Sequence, residues 1–598
     1  MIKLRLIYFL FLMIIQVKSI PLYNPLPKIL INPRDCPLNA CEVIKIFAEH
    51  LFSAKAFDEI REKYKYLNNP TISENHQKSP NNGDAENELK IRLLDVERRL
   101  RSVEQPNWMI IPESDDAWDK CTEGVCRCHA TIKSLSCWRT EMLHLPQLQV
   151  IPTNIIKIDL STNHLSTLNK DSFKGLTHLI ELDMSNNRFD YLPFDVFADL
   201  DSLEIVRLQK NKIEHFDYRI FLKLRNLVIL DASDNQIQSL PQNLFDSIRK
   251  VTAINLSNNK IEEFPAGLLK ETHELEEFDI SKNKIKELKV NSFERLHRLR
   301  HLLLGENEIG IKIQIFHLKL HLNSISVTET IDENVFHHLV TLEKLVLTGN
   351  RIKLIPNQLF MNLTKLIKLD LRHNQISKIY SSAFLTLTQL EDLNLGQNNL
   401  VSIPSGLFIN NSRLRKLTLF SNNFTRLEKS AFIGLSNVSN LLLNNNNLKD
   451  FDSELFVPLK NLVKLRLDSN KLMFLPSRCL DQNPKLLSVK LGKNPWHCDC
   501  RAIYLARWLR VNGTKLWDSE PTCRGPGALS GQSLISLRFI HICDGQWASM
   551  VSLSPRLPIR KHSILGQFDE QPDFLSFYDI STERMPKVSS VSPIYEDY

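Results

Sequence analysis

Glycine is scarce in this chain, with seventeen in 598 residues. Phosphate-cradling loops and strained nucleophile turns depend on glycine to bring backbone close to a ligand or to take up positive φ, and neither kind of motif is present. HExxH and CxxC are missing as well, so the commonest short signatures of metallopeptidases and thiol redox enzymes have no carrier. No nucleophile, base and oxyanion donors come together in any motif, and the chain reads as a non-enzyme with no catalytic residue, cofactor or metal. The formal charge of +7 is small for this length and argues against a nucleic-acid partner, which would demand a concentrated basic face. No apolar run reaches the ~18 to 20 residues that cross a bilayer.

What is present begins at the N-terminus. "MIKLRLIYFLFLMIIQVKS" has Lys3 and Arg5, an apolar run from Leu6 to Val17 and small Ser19, the layout of a secretory signal peptide over 1–19. A secreted chain holds its cysteines as disulfides rather than as metal or redox thiols, and eleven of them leave one over. "NPWHCDC" sets Cys498 and Cys500 one residue apart, as metal ligands, a redox pair or part of a disulfide framework.

The dominant feature is a repeat. In "LIELDMSNNRFDYLPFDVFADLDSLEIVRLQKNKIEHF", Leu182, Met184, Asn187, Phe189 and Phe197 recur as Val206, Leu208, Asn211, Ile213 and Phe221. The pattern LxxLxLxxNxL runs down the chain, its asparagines 24 residues apart from Asn163 to Asn307 and again from Asn350 to Asn494. Between those series the spacing fails: Asn323 follows Asn307 by 16 residues, and Asn350 follows after 27. Counted as two turns, this stretch at 308–340 is either a natural irregularity or the result of a lost piece of exon.

LxL alternation buries two residues and turns the one between them outward. One such turn cannot bury its apolar face alone, so neighbours must stack. An asparagine at an interior corner offers two donors and an acceptor to turn backbone, in its own repeat and the next, that is otherwise buried unpaired. The asparagines are therefore structural.

Over residues 121–543 the sequence resembles the extracellular leucine-rich repeat family. The resemblance implies an α/β solenoid, a right-handed horseshoe with a parallel concave sheet and disulfide caps. The repeats occupy 150–494 in about fifteen turns, giving a body ~70 Å long at the usual strand spacing. Both open ends of a solenoid need covering. The segment 121–149, which opens with "CTEGVCRCHATIKSLSC", and the segment 495–543 are similar to the family's two cysteine-rich caps. Four cysteines allow three pairings in each cap. The resemblance implies Cys121 with Cys128 and Cys126 with Cys137, then Cys498 with Cys523 and Cys500 with Cys543, under Trp496 and Trp508. A zinc site using His497 and His541 is the rival chemistry. Cys479 aligns with the phenylalanine of other repeats and reads as a buried free thiol.

Outside the repeats, 20–120 reads as a helical and disordered extension. It contains Cys36 and Cys41, which bridge each other or another subunit, an amphipathic stretch and the polar "NNPTISENHQKSPNNGDAENE". Leu89, Leu93, Val96, Leu100 and Val103 then follow heptad spacing, so 86–105 is a helix that docks on the cap or associates with a second copy. The tail at 544–598 is polar, basic at "RLPIRKH" and acidic with tyrosines at "FYDI" and "PIYEDY", which suits tyrosine sulfation.

The outward residue of each LxL forms a column: Asp159, Asp183, Arg207, Asp231, Asn255, Asp279, Leu303, Lys319, Val346, Asp370, Asn394, Thr418, Leu442, Arg466 and Lys490. Leu303, Val346 and Leu442 are the apolar members, with Asp370, Asn394 and Thr418 between the last two. These six are the expected partner-binding residues. Sequons stand at Asn255, Asn362, Asn410, Asn423, Asn437 and Asn512; a sugar at Asn255 obstructs the earlier turns. The sequence thus predicts a secreted, glycosylated scaffold for an extracellular protein ligand or receptor in a matrix, receptor-ligand or carrier role, without a membrane span. The alternative is a non-catalytic subunit of a secreted enzyme complex.

Overall fold

In the computed structural model, residues 97–312, 331–332, 334–538 and 542 are described. Two units divide at Glu104 and Gln105. Of the first, 97–103 is helical; Cys36, Cys41 and the heptad positions before 97 lie outside the described residues.

The second unit is a parallel solenoid. Three-residue strands from Lys157–Asp159 to Ser488–Lys490 lie side by side in one sheet, in register, each a single turn from the next. The centre of each strand is fully buried and its flanks are half-buried, as in Glu181–Asp183 and Lys464–Arg466, because a period of two sends alternate side chains to opposite faces. Fourteen turns contribute strands, and the hairpin Arg127–His129 with Ser134–Ser136 opens the sheet in front of them. The convex side is carried by turns and short 3-10 helices such as Val290–Phe293 and Lys429–Phe432.

Two ladders hold the turns together. Phe336, Phe360, Phe384 and Phe408 stack ring on ring at 6.1 to 6.4 Å, each fully buried and contributing about 1.5–3 kcal/mol by burial. The second ladder is the asparagines. Asn235 Nδ2 donates to the carbonyls of Leu208, Ala232 and Ser233 at 3.0, 3.1 and 3.0 Å, and its Oδ1 accepts from the Ile213 amide at 3.0 Å. The residue before each of these asparagines turns through positive φ, 53° at Asp234 and 59° at Lys210. Glycine takes this place only at Gly349, so the scarcity of glycine is borne by strained polar residues.

The spacing failure at 308–340 resolves as one turn, not two. His301–Leu303 pairs directly with Lys344–Val346, and Phe293 stacks on Phe336 at 6.3 Å. Ile309 N donates to Asn350 Oδ1 across 41 residues, where the preceding turn closes over 22. The turn therefore carries nineteen residues more than its neighbours. Lys319 and Asn323, counted above as repeat positions, lie outside the described residues, and about fifteen turns become fourteen. Ile311 and Ile331 are paired in register at the base of the excess. Deleting 312–330 is thus expected to leave an uninterrupted 24-residue turn and to change unfolding free energy by no more than ~1 kcal/mol, the scale of loop-closure entropy. Urea unfolding of the deletion variant checks this; a larger loss would mean that the segment packs on the solenoid.

Both ends are closed. At the N-terminus, Cys121 is bonded to Cys128 and Cys126 to Cys137, around a fully buried Gln149 that donates to Cys121 O and accepts from Cys126 N. The cover also includes residues placed above in the 20–120 extension. Met109–Ile111 pairs parallel with Val150–Pro152, and Trp108 packs edge-on against Phe173, the first rung of its ladder, at 6.0 Å. At the other end, Cys498 is bonded to Cys523. Cys500 is also disulfide-bonded, its sulfur beside Ile542 O; Cys543 and His541 lie outside the described residues. Among the described residues the cap's three cysteines, Cys498, Cys500 and Cys523, are all in bridges and offer zinc no thiolate. Trp496 and Trp508 are buried over the last turn. Cys479 is a buried free thiol, with burial pushing its pKa well up. It stands in the column of Leu407 and Leu455, however, and Leu480 replaces the phenylalanine.

Candidate binding face

The concave sheet presents two outward positions per strand, and the first was not read from the sequence. In adjacent strands it brings Ile205, Ile229 and Ala253 side by side, all half-buried. An apolar patch therefore exists in the early turns as well as the later ones. Around it, Arg207 and Lys157 both engage Glu181. Burial pulls the Glu181 carboxyl upward, but hydrogen bonds and charge from Lys157 and Arg207 outweigh it and hold the group below its ordinary range.

In the second outward position, the acidic and amide residues are partly committed to their own backbone. Asp159, Asp183, Asp231, Asn255, Asp279, Asp370 and Asn394 each accept, through Oδ1, the amide two residues on. A short carbonyl side chain here caps the strand exit, which explains why Asp and Asn recur. Asp370 and Asn394 can offer a partner only their remaining polar atoms.

The six expected contact residues do not form one patch. Leu303 and Val346 are direct neighbours, opposite each other on paired strands. Leu442 lies four strands beyond Val346, ~19 Å away at the usual spacing. Thr418 is 3% exposed and its hydroxyl has no hydrogen-bond partner. This short side chain sits between the longer Asn394 and Leu442, near a Phe420 ring that fills the space left by Gly396. It cannot serve as a polar contact.

Past Leu442 the column turns cationic and gains a member from the cap. Val489 is bridged in parallel to Leu516, and Trp517 N donates to Val489 O at 3.0 Å. Trp517 thereby continues the line Arg466, Lys490. The residue is 58% exposed, with Lys464 Nζ at 4.1 Å and Lys490 Nζ at 4.3 Å from its ring centroid. Sequence spacing could not place Trp517 here, because the cap abandons the repeat register.

Of the sequons, Asn410 and Asn437 are exposed and Asn362 is half-buried, all away from the concave strands, and their amides donate to the Leu385, Ser412 and His337 carbonyls. Asn423 is exposed just after a ladder asparagine, and Asn512 ends the helix Ile503–Asn512. Asn255 alone is a concave strand residue. Among the described residues no three His, Cys, Asp or Glu side chains group as metal ligands, and no helix is long and apolar enough to cross a membrane.

A leucine-rich repeat model matches 153–213, 201–261 and 249–309, and a BspA-type leucine rich repeat region matches 329–463 and 402–497. Carboxypeptidase N subunit 2 of Mus musculus is 36% identical over 63 residues, 10% of this chain and 12% of that protein. The platelet glycoprotein Ib beta chain of Rattus norvegicus is 42% identical over 60 residues, 10% of this chain and 29% of that one. The chain thus spans less than a third of either relative. Among solved structures, the TLR13–ssRNA13 complex aligns with TM-score 0.51 at 24% identity over 64% of this chain and 56% of that one. A leucine-rich repeat protein of Leptospira interrogans aligns at 0.50 and 22% over 68% of this chain and all of its own. At these identities the likeness is one of fold.

Proposed function

The chain is a leucine-rich repeat protein, and from that premise we propose that it is a secreted, glycosylated scaffold binding an extracellular protein or receptor on its concave face. The observation that carries this reading is the Leu303 and Val346 pair, two aliphatic side chains abutting on neighbouring strands of an open sheet, where an apolar anchor ringed by polar residues suits a protein hot spot. The disulfide caps support an oxidising compartment. The exposed sequons away from the sheet fit sugars that leave the concave face clear. The similarity to carboxypeptidase N subunit 2 favours a second reading, a non-catalytic subunit carrying an enzyme.

Full-length chain and the partner it captures from conditioned medium provide the test. Changing Leu303 and Val346 together to Ser is expected to weaken that partner by ~2 kcal/mol or more, with little change in melting temperature. Unchanged affinity, with loss instead on Ile229→Ser, would move the site to the early turns. Hydrolytic activity in the purified chain alone would remove the scaffold reading.

A further inference from the structure

The cationic end of the concave face is built unlike the rest of it. Lys464 and Lys490 have no ion-pair partner among the described residues, and both point their ammonium groups at the indole of Trp517, a residue more than half exposed. The nearby acids are occupied. Asp468 makes a two-point pair with Arg466 at 2.8 and 2.9 Å, and Asp518 accepts Gly492 N at 2.7 Å. Two cations over an aromatic face gain cation–π attraction but leave their outward donors free, a site suited to carboxylates accompanied by an aromatic ring.

The sequence supplies such a ligand close by. Residues 569–598 hold seven Asp or Glu against one Lys and one Arg, with acids next to aromatics at Phe568–Asp569, Tyr578–Asp579 and Tyr595–Glu596. The last described residue before this segment, Ile542, belongs to the same cap as Trp517 and lies beside Cys500. The 26 residues between Ile542 and Asp569 can span up to ~85 Å, so reach does not limit contact. Tethering holds a ligand at millimolar effective concentration, enough for several weak exposed ion pairs to act together.

We propose that the acidic, aromatic segment 569–598 of this chain docks on the Lys464, Lys490 and Trp517 site and covers the C-terminal end of the concave face. This does not rest on the proposed partner of the Leu303 and Val346 pair. Carbodiimide cross-linking of the full-length chain, mapped by mass spectrometry, is expected to join Lys464 or Lys490 to a carboxylate of 569–598, at a yield independent of protein concentration. Hydrogen exchange of 569–598 is expected to be ~5-fold slower at low salt than at about 0.5 M, where the Debye length shrinks to a few ångströms. K464E/K490E should abolish both signals. If that variant misfolds, replacing Asp569, Glu570 and Asp573 by Lys, outside the solenoid, should weaken both. Protection that survives charge reversal, absence of the cross-links, or cross-links whose yield rises with concentration, the mark of a second copy, would each overturn the proposal.

Discussion

Asn235→Leu is expected to lower unfolding free energy by ~3 to 5 kcal/mol, far more than its conservative volume suggests. Leucine fills the same corner, yet it removes the three donations to Leu208, Ala232 and Ser233 and the acceptor of Ile213 N. The Ile213 amide is left buried and unpaired at ~1 to 3 kcal/mol, while the carbonyls of Leu208, Ala232 and Ser233 keep Asn211 Nδ2, Asn259 Nδ2 and Lys210 N and each lose one of two donors at ~0.5 to 1.5 kcal/mol. The damage should be local, because each turn is stabilised by its immediate neighbours. Urea unfolding combined with hydrogen exchange should therefore show faster exchange in 205–237 with the later turns unaffected. A loss under ~1 kcal/mol would mean that water or backbone rearrangement replaces the amide.

Trp108→Ala is expected to cost a similar ~3 to 5 kcal/mol, the range for large-to-small changes at buried aromatic sites. The side chain is 4% exposed, its Nε1 donates to Ser172 O, and its ring lies against Phe173. The strand that follows is bonded on both sides of its pairing, Met109 N to Gln149 O and Thr153 N to Ile111 O at 2.9 Å. Trp108→Phe keeps most of the apolar contact and loses one hydrogen bond, so it should cost only ~1 kcal/mol. Denaturant midpoints of the two variants decide the matter. Equal small losses would show that the segment before Cys121 is an accessory and that the disulfides alone close this end.

The amino-acid sequence by itself determined the turn. A 24-residue period of Leu, Asn and Phe specifies a three-residue strand, a buried amide corner and an aromatic rung, because each of those positions answers to a local demand: alternation, backbone satisfaction, or filling the convex side. The asparagines were correctly read as structural for that reason, and so was the solenoid they imply. Which outward residues meet was decided by the tertiary structure. The strands on either side of the nineteen surplus residues pair directly, so Leu303 abuts Val346. Leu442 falls away from them by the count of strands, and Thr418 sinks between longer neighbours. Asp370 and Asn394 were expected as polar contacts because composition cannot show that a side chain is already bonded to its own backbone. Trp108 and Trp517 lie beyond the periodic region, where no spacing rule applies, and each reaches its place only because the chain folds back to cover an open end of the sheet.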